Sequence, residues 1–374
     1  MTIALTTFIS FAIWLYLLLG HGFFWLMRER DEYGMIKPAR WPRVAAVVPA
    51  RDEANVIARA LGSLLAQDYP GPLRIILVDD RSSDGTAEIA FGLGSPKLTI
   101  VHGAEHPPGW TGKLFAMAQG ANEAGEEPDY LWFSDADIAH APDMLSQLVA
   151  RAEAEKRVLV SLMAELNCQS FAERFLIPAF VFFFAMLFPF AWVNDPEKRT
   201  AAAAGGCMLV KREALVRAGG IAAIKSEIID DCALGRLMKR QGPIWLGLTR
   251  RSVSLRLYPH IADIRDMIAR SAYAQLDYSP LVLLGTMLGM ALLYVAPLAG
   301  LFAGGLAAPF GALAWAAMTV AFQPMLAFYR RSPFWGLALP VIGVFYAAFT
   351  IYSAVQVWRG RGGMWKGRAQ AIAR

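Results

Sequence analysis

Residues 73–86 read LRIILVDDRSSDGT. The run 73–78 is β-prone and apolar, it ends on the acidic pair Asp79-Asp80, and Arg81–Gly85 then reads as a turn and helix start. The same grammar recurs on both sides. Residues 44–49 (VAAVVP) are a short apolar run of the kind a buried parallel strand shows. Residues 54–67 follow with Val56, Ile57, Ala60, Leu61, Leu64 and Leu65 on one helical face. Residues 97–101 (KLTIV) predict a third strand, 113–124 a helix, and 130–133 (YLWF) a fourth strand that ends at Ser134-Asp135-Ala136-Asp137. Strands alternating with helices predict an α/β domain built on a mostly parallel sheet. In such sheets ligands bind beyond the carboxyl ends of the strands, where these acidic clusters fall.

Working outward, the rest of the chain has a different character. Of its 374 residues 56% are hydrophobic and 18% charged, against about 45–50% and about 25% in soluble globular proteins. That excess excludes a disordered chain, a coiled coil and an ordinary cytosolic enzyme. It sits in membrane-length stretches. Residues 2–27 hold no Lys, Arg, Asp or Glu and have bulky aromatics where a signal peptide would have a small-residue cleavage site, so 1–27 reads as a retained anchor. Arg28, Arg30 and Lys37 place its C-terminal end on the cytoplasmic side. Three more apolar stretches, 281–304, 306–328 and 334–358, predict a C-terminal transmembrane bundle over 281–358, followed by a basic tail, 359–374. The catalytic-sized domain is then 28–280, expected to face the cytoplasm from a plasma (inner) membrane.

Two features complicate this plan. Residues 175–193 are uncharged and long enough to cross, yet they interrupt the soluble region and contain Pro178 and Pro189, so an in-plane or re-entrant element is expected there. One anchor plus three further crossings would also leave the basic tail outside, against the positive-inside rule. The net charge of +5 suits cytoplasmic-side Lys and Arg better than nucleic-acid binding. Three scattered cysteines, Cys168, Cys207 and Cys232, offer neither a disulfide framework nor zinc spacing.

The candidate chemistry lies in carboxylates. Asp135 and Asp137 stand two apart after a strand, which suits a hard cation such as Mg2+ or Mn2+ held by carboxylates and phosphate oxygens. Asp80 suits a hydrogen bond to a base or ribose, or else caps the following helix. Lys113 enters a helix at a glycine-rich turn, an anion site if it is not simply solvated. Asp230-Asp231 precedes a helical run, and reads either as a cap or as a general base. The arginines of 250–270 (Arg250, Arg251, Arg256, Arg265, Arg270) read mostly as topology and headgroup contacts.

Together these landmarks resemble family 2 glycosyltransferases of the GT-A fold. The matching residues are Val48-Pro49-Ala50-Arg51-Asp52-Glu53, Val78 through Thr86, Gly112-Lys113, Asp135-Ala136-Asp137, Gly205 through Val210, and Asp230-Asp231 with Leu234 and Gly242. Pro107 through Lys113 and Gly360 through Arg368 look like the hopene-associated membrane glycosyltransferases. The resemblance implies that Pro49, Arg51, Glu53, Asp80, Lys113 and Asp135 bind the nucleotide-sugar donor, and that Asp135 and Asp137 hold a metal, Mg2+ or Mn2+. It further implies that Asp231, with Asp230, activates an acceptor hydroxyl with inversion at the sugar carbon. Gly206, Arg270 and Tyr273 would lie on the acceptor side. The family's usual Glu-Asp is Asp230-Asp231 here, and no R-W pair follows Arg270, which argues against processive polymer synthesis. The implied function is sugar transfer from a UDP-sugar to a lipid hydroxyl, a hopanoid among the candidates. A polyprenyl-phosphate sugar synthase and a non-catalytic membrane nucleotide-sugar binder remain as alternatives.

Overall fold

A computed structural model describes residues 2–31 and 36–363; the rest of the expected basic tail, including Met364–Arg368, lies outside the described residues. In chain order the helices are α1 (Thr2–Leu19), α2 (Ile57–Leu65), α3 (Thr86–Phe91), α4 (Gly112–Ala124), α5 (Met144–Ala154), α6 (Phe171–Leu187), α7 (Phe190–Asn194), α8 (Arg212–Arg217), α9 (Asp230–Lys239), α10 (Ile261–Ala269), α11 (Pro280–Met290), α12 (Ala296–Ala303), α13 (Ala307–Phe328) and α14 (Leu339–Trp358). The strands are β1 (Val44–Ala50), β2 (Leu73–Asp79), β3 (Leu98–His102), β4 (Tyr130–Phe133), β5 (Ile138–His140), β6 (Leu159–Glu165), β7 (Met208–Lys211) and β8 (Ile244–Ser254).

Residues 29–167 and 192–257 form an α/β unit. Its single sheet has the order β3-β2-β1-β4-β7-β6-β8-β5. β3, β2, β1 and β4 run parallel, as alternation with helices requires, and β6 pairs parallel with β8. β7 enters antiparallel between β4 and β6, and β5 pairs antiparallel with β8. All seven residues of β1 are buried, which explains why it reads as an unbroken apolar run and not as an alternation. Burying each Val, Ile or Leu of this sheet contributes about 1.5–3 kcal/mol. The first helix is shorter than its periodicity predicts. Residues 51–56 are drawn off as a loop, with Asp52 at φ 50°, because side chains from the next strand end take their backbone donors: the amides of Asp52, Glu53 and Ala54 donate to Ser82 Oγ, Thr86 Oγ1 and Asp84 Oδ2. Two strand ends are thereby laced together where a ligand is expected.

Residues 1–28, 168–191 and 258–374 cluster as a second, helical unit. The boundary read as 28–280 therefore falls differently: 168–191 and 258–280 group with the apolar helices. The reason is burial, since α6 is apolar on most of its circumference and finds matching surface only on other apolar helices. Pro178 sits inside an unbroken α6, capped at Ser170 by a reciprocal capping box with Glu173; the chain breaks only around Pro189, between α6 and α7. β6 and β7, which flank this excursion, are hydrogen-bonded neighbours, so both flanks of 168–191 belong to one sheet. Among the described residues four helical stretches are long and apolar enough to cross a membrane: Thr2–Leu19, Pro280–Ala303, Ala307–Phe328 and Pro333–Trp358.

Candidate active site

The site is built at strand ends of the α/β unit. α4 begins beyond β3, with the Thr111 hydroxyl accepting from the Leu114 amide at its N-terminus. That start aims Lys113 at two carboxylates. Its Nζ lies 2.8 Å from Asp135 Oδ1, in the loop after β4, and 2.9 Å from Asp230 Oδ2, in the first turn of α9. Burial alone would lower the Lys113 pKa, but Asp135 and Asp230 outweigh it and hold the ammonium well above the ordinary lysine range. Lys113 is thus a fixed positive charge, and not the solvated lysine of the bland reading.

Asp231 is the next residue on α9. Its Oδ2 accepts from the Gly205 amide at 3.0 Å and its Oδ1 from the Cys232 amide at 2.7 Å. Burial first, and then the neighbouring Asp230, push its pKa up to about 6, with Lys113 and the two amides pulling the other way. Gly205 is the hub of this cluster. A Cβ there would lie 3.3 Å from Lys113 Nζ, 3.5 Å from Asp135 Oδ2 and 3.6 Å from Asp231 Cβ, so Lys113, Asp135 and Asp231 meet at one point. A second glycine makes this possible. At Gly235, on α9, an added Cβ would stand 2.6 Å from the Ala202 carbonyl carbon and 2.9 Å from the Ala203 nitrogen. Both are backbone atoms and cannot swing aside. Gly235→Ala is expected to cost about 1–3 kcal/mol and to move Asp231 off Gly205; a lowered Tm with impaired transfer supports this, and wild-type behaviour in both would refute it.

The two carboxylates of the Asp135-Ala136-Asp137 motif are held apart. Asp137 Oδ2 accepts from Arg256 Nε at 2.7 Å, and Arg256 Nη2 also bonds Glu53 Oε1 at 2.9 Å. Arg256 follows β8 and was expected among membrane-facing arginines; it instead binds the motif, and Arg251 pairs with Asp143 at 3.3 Å. Sequence reasoning missed Arg256 because its partners lie 119 and 203 residues away. Its one available signal was position, directly after a strand that ends near the others. Asp80 lies in a neighbouring pair: Arg51 Nη1 donates to its carbonyl oxygen at 2.6 Å and stands 3.5 Å from its Oδ2. Pro49 is buried in β1. Asp135 and Asp137, expected to share one metal ion, are thus each bonded to a different cationic side chain. Two clusters form around Lys113 and Arg256, and Asp80 belongs with Arg51, because each cation reaches carboxylates presented by neighbouring strand ends and helix starts.

Among the described residues no three His, Cys, Asp or Glu side chains are grouped to hold a metal. The donor chemistry nevertheless fits a hard divalent ion in a limited way. Two carboxylates completed by phosphate oxygens are a usual Mg2+ arrangement, and Asp135 and Asp230 are such a pair, but the Lys113 ammonium bridges them and would have to give way to an ion placed between them.

Residues 45–218 match the profile of glycosyl transferase family 2. The matched stretch is a little under half of the chain, and over it the chain is similar to that family's domain. The 4,4'-diaponeurosporenoate glycosyltransferase of Staphylococcus haemolyticus (strain JCSC1435) is 32% identical over 114 residues, 29% of each chain. That of Staphylococcus aureus (strain bovine RF122 / ET3-1) is 26% identical over 191 residues, 50% of this chain and 49% of its own. An N-acetylglucosaminyltransferase of Mesorhizobium japonicum is 24% identical over 188 residues, 47% and 41% of the two chains. The chain thus spans half or less of the length of these curated relatives. A mannosyltransferase from Pyrobaculum calidifontis, solved with GDP-Man and Mn2+, aligns over 94% of this chain and 98% of its own with a TM-score of 0.55 and 20% identity, a likeness of fold.

In the α/β unit the residues expected around the donor divide as described between the Lys113, Arg256 and Arg51 clusters. On the acceptor side, a Cβ on Gly206 would touch Ile138 Cγ1 at 3.2 Å. Arg270 and Tyr273 belong to the helical unit. Tyr273 is buried there, its hydroxyl donating to the Tyr278 carbonyl at 2.7 Å and its ring packed against Trp358. It is a packing residue, because a phenol in an apolar bundle must find an acceptor and has found one in the backbone.

Proposed function

We propose that this protein is a membrane-bound inverting glycosyltransferase that moves a sugar from a nucleotide-diphosphate sugar, a UDP-sugar, to a hydroxyl of a lipid acceptor, a hopanoid among the candidates. The junction of Lys113, Asp135, Asp230 and Asp231 at Gly205 carries the proposal, because it sets a fixed cation beside a basic carboxylate. The N-terminus of α4 and the Lys113 ammonium suit a diphosphate, since unpaired amides and positive charge both favour an anion there. Asp231 suits the base. It has one hydrogen bond on each oxygen, and a pKa of about 6 leaves it ionised at pH 7 yet more basic than a free carboxylate. Proton removal from the acceptor hydroxyl by Asp231 accompanies attack on the sugar carbon from the face opposite the diphosphate, which gives inversion.

A divalent ion, Mg2+ or Mn2+, held by the Asp135-Ala136-Asp137 motif together with donor phosphate oxygens would add countercharge to the departing diphosphate, beside the Lys113 ammonium that bridges Asp135 and Asp230. Arg256 pairs with both Asp137 and Glu53, offsetting part of their charge and holding the two strand ends together. The lipid acceptor is supported by the apolar helical stretches and by relatives named for a lipid-related acceptor. The test is to incubate membranes carrying the protein with a panel of labelled sugar nucleotides and to extract the lipids. Acid-stable label in the lipid fraction is expected. Acid-labile label would indicate a lipid phosphate acceptor, and no lipid label with any donor would refute the proposal.

A further inference from the structure

The stretch Pro333–Trp358 is apolar and, at 26 residues, long enough to cross a bilayer. Its contacts within the helical unit trace a different path. α11 and α12, joined through a π-helical turn at Ala291–Val295, supply the reference direction. α13 returns antiparallel to α12: a Cβ on Gly311 would lie 2.4 Å from the Pro297 oxygen, and one on Gly300 3.2 Å from the Ala307 oxygen. α1 runs the same way as α13, with Trp14 Nε1 donating to the Leu293 oxygen at 3.1 Å and Phe8 packed on Phe310.

After α13 the chain reverses. The 3-10 segment Pro333–Ala338 climbs back along the helix it has just left. Gln323 Nε2 donates to the Pro333 oxygen at 3.2 Å, Thr319 Oγ1 to the Gly336 oxygen at 3.4 Å, and Trp315 Nε1 to the Leu337 oxygen at 3.0 Å. The climb covers about 12 Å, at about 2 Å per residue. α14 then descends antiparallel to α11 and α12. A Cβ on Gly343 would meet the Tyr294 ring at 2.5 Å, midway along that pair. Farther down, Ser353 Oγ donates to the Ala269 oxygen and accepts from the Tyr273 amide, and Trp358 packs on Tyr273, just before α11 begins. The end of α14 is thus level with the start of α11, on the side where α13 finishes.

We infer that Pro333–Trp358 is a re-entrant hairpin that enters and leaves by one leaflet, so that α1, α11–α12 and α13 are the three crossings and every arginine flanking them faces the anionic headgroups of that leaflet. Two independent observations converge on this. Non-helical backbone at hydrocarbon depth survives only where protein satisfies its carbonyls. Trp315, Thr319 and Gln323, spaced four apart on the otherwise apolar α13, form the stripe that does so. The second observation is charge. Arg28 follows α1, Arg265 and Arg270 belong to α10 and its end, Arg330 and Arg331 follow α13, and Arg359 and Arg361 follow α14. All lie at the same end of the helices, while the opposite turn, Gly304-Gly305-Leu306, and the described start of α1 carry no charge. The positive-inside rule puts that arginine end on the cytoplasmic side. The tail that four crossings would strand outside returns inside.

Single cysteines at Leu306, Ser332 and Arg359, all exposed, test this in the full-length chain with its three native cysteines replaced by alanine. A membrane-impermeant maleimide added to intact cells should label Leu306→Cys, and should label Ser332→Cys and Arg359→Cys only after permeabilisation. Labelling of Arg359→Cys from the same side as Leu306→Cys would overturn the hairpin. Reporters fused to the C-terminus of the otherwise unaltered chain give a second measurement: a fluorescent protein should be bright and alkaline phosphatase inactive, and the reverse pattern would overturn it too.

Discussion

Asp231→Asn is expected to lower kcat by about 10²–10⁴-fold, the usual worth of a positioned general base, while leaving donor binding within a few fold. Asn preserves the shape of the side chain and one acceptor, which serves the Gly205 or the Cys232 amide but not both, so unchanged donor binding is the readout that separates lost basicity from a disturbed site. In the wild type, kcat/KM should fall with one proton as pH drops through about 6, because protonated Asp231 cannot take the acceptor's proton. The same residue makes an opposite prediction for stability. Its folded pKa of about 6 lies above the ordinary aspartate value of about 3.9, so its ionised form is disfavoured by the fold. That penalty is full above pH 6 and disappears as pH falls from 6 toward 4. Asp231→Asn should therefore be more stable than wild type near pH 7.5 by up to about 3 kcal/mol, less the hydrogen bond that its amide group cannot accept, and should lose that advantage near pH 4. Calorimetry at the two pH values together with initial-rate kinetics checks both arms. Near-normal turnover would remove Asp231 from the chemistry.

Lys113→Gln has the larger structural consequence. It removes the one ammonium between Asp135 and Asp230, and leaves two carboxylates, with Asp231 beside them, facing each other. Removing one partner of a buried charge pair typically costs about 3–5 kcal/mol, and the lower end applies here because Asp135 is 32% exposed. Donor affinity should weaken at least tenfold, since the diphosphate loses its resident countercharge. A readout that simple misfolding would not produce is the pH profile. Lys113 lowers the Asp231 pKa, so without it the acidic limb of kcat/KM should move to higher pH. Unchanged donor affinity with an unmoved profile would show that Lys113 serves only packing.

How much of this was legible in the chain depends on the range of the interaction involved. The strands were readable because a buried parallel strand must be apolar along its whole length, as in Val44–Ala50. Lys113, Asp135, Asp230 and Asp231 were readable because each sits at the end of a regular element, and strand ends are where such sheets expose polar groups. The pairing inside the site was not readable. Asp135 and Asp137 are two residues apart, yet one goes to Lys113 and the other to Arg256. Arg256 looked like one of several arginines before a membrane bundle, and Tyr273 looked available although its hydroxyl is bonded within the helical unit.

Local sequence by itself therefore determined which segments are strand, helix or apolar enough for a bilayer, because backbone propensity and hydropathy act over a few residues. It also marked the strand-end carboxylates. Only the tertiary structure decided which cation each carboxylate meets, and that Pro333–Trp358 turns back along α13 and α11–α12. Hydropathy records how long and how apolar a segment is but not its direction. Charge pairing and helix direction are set by neighbours distant in the chain, and those become neighbours only once it has folded.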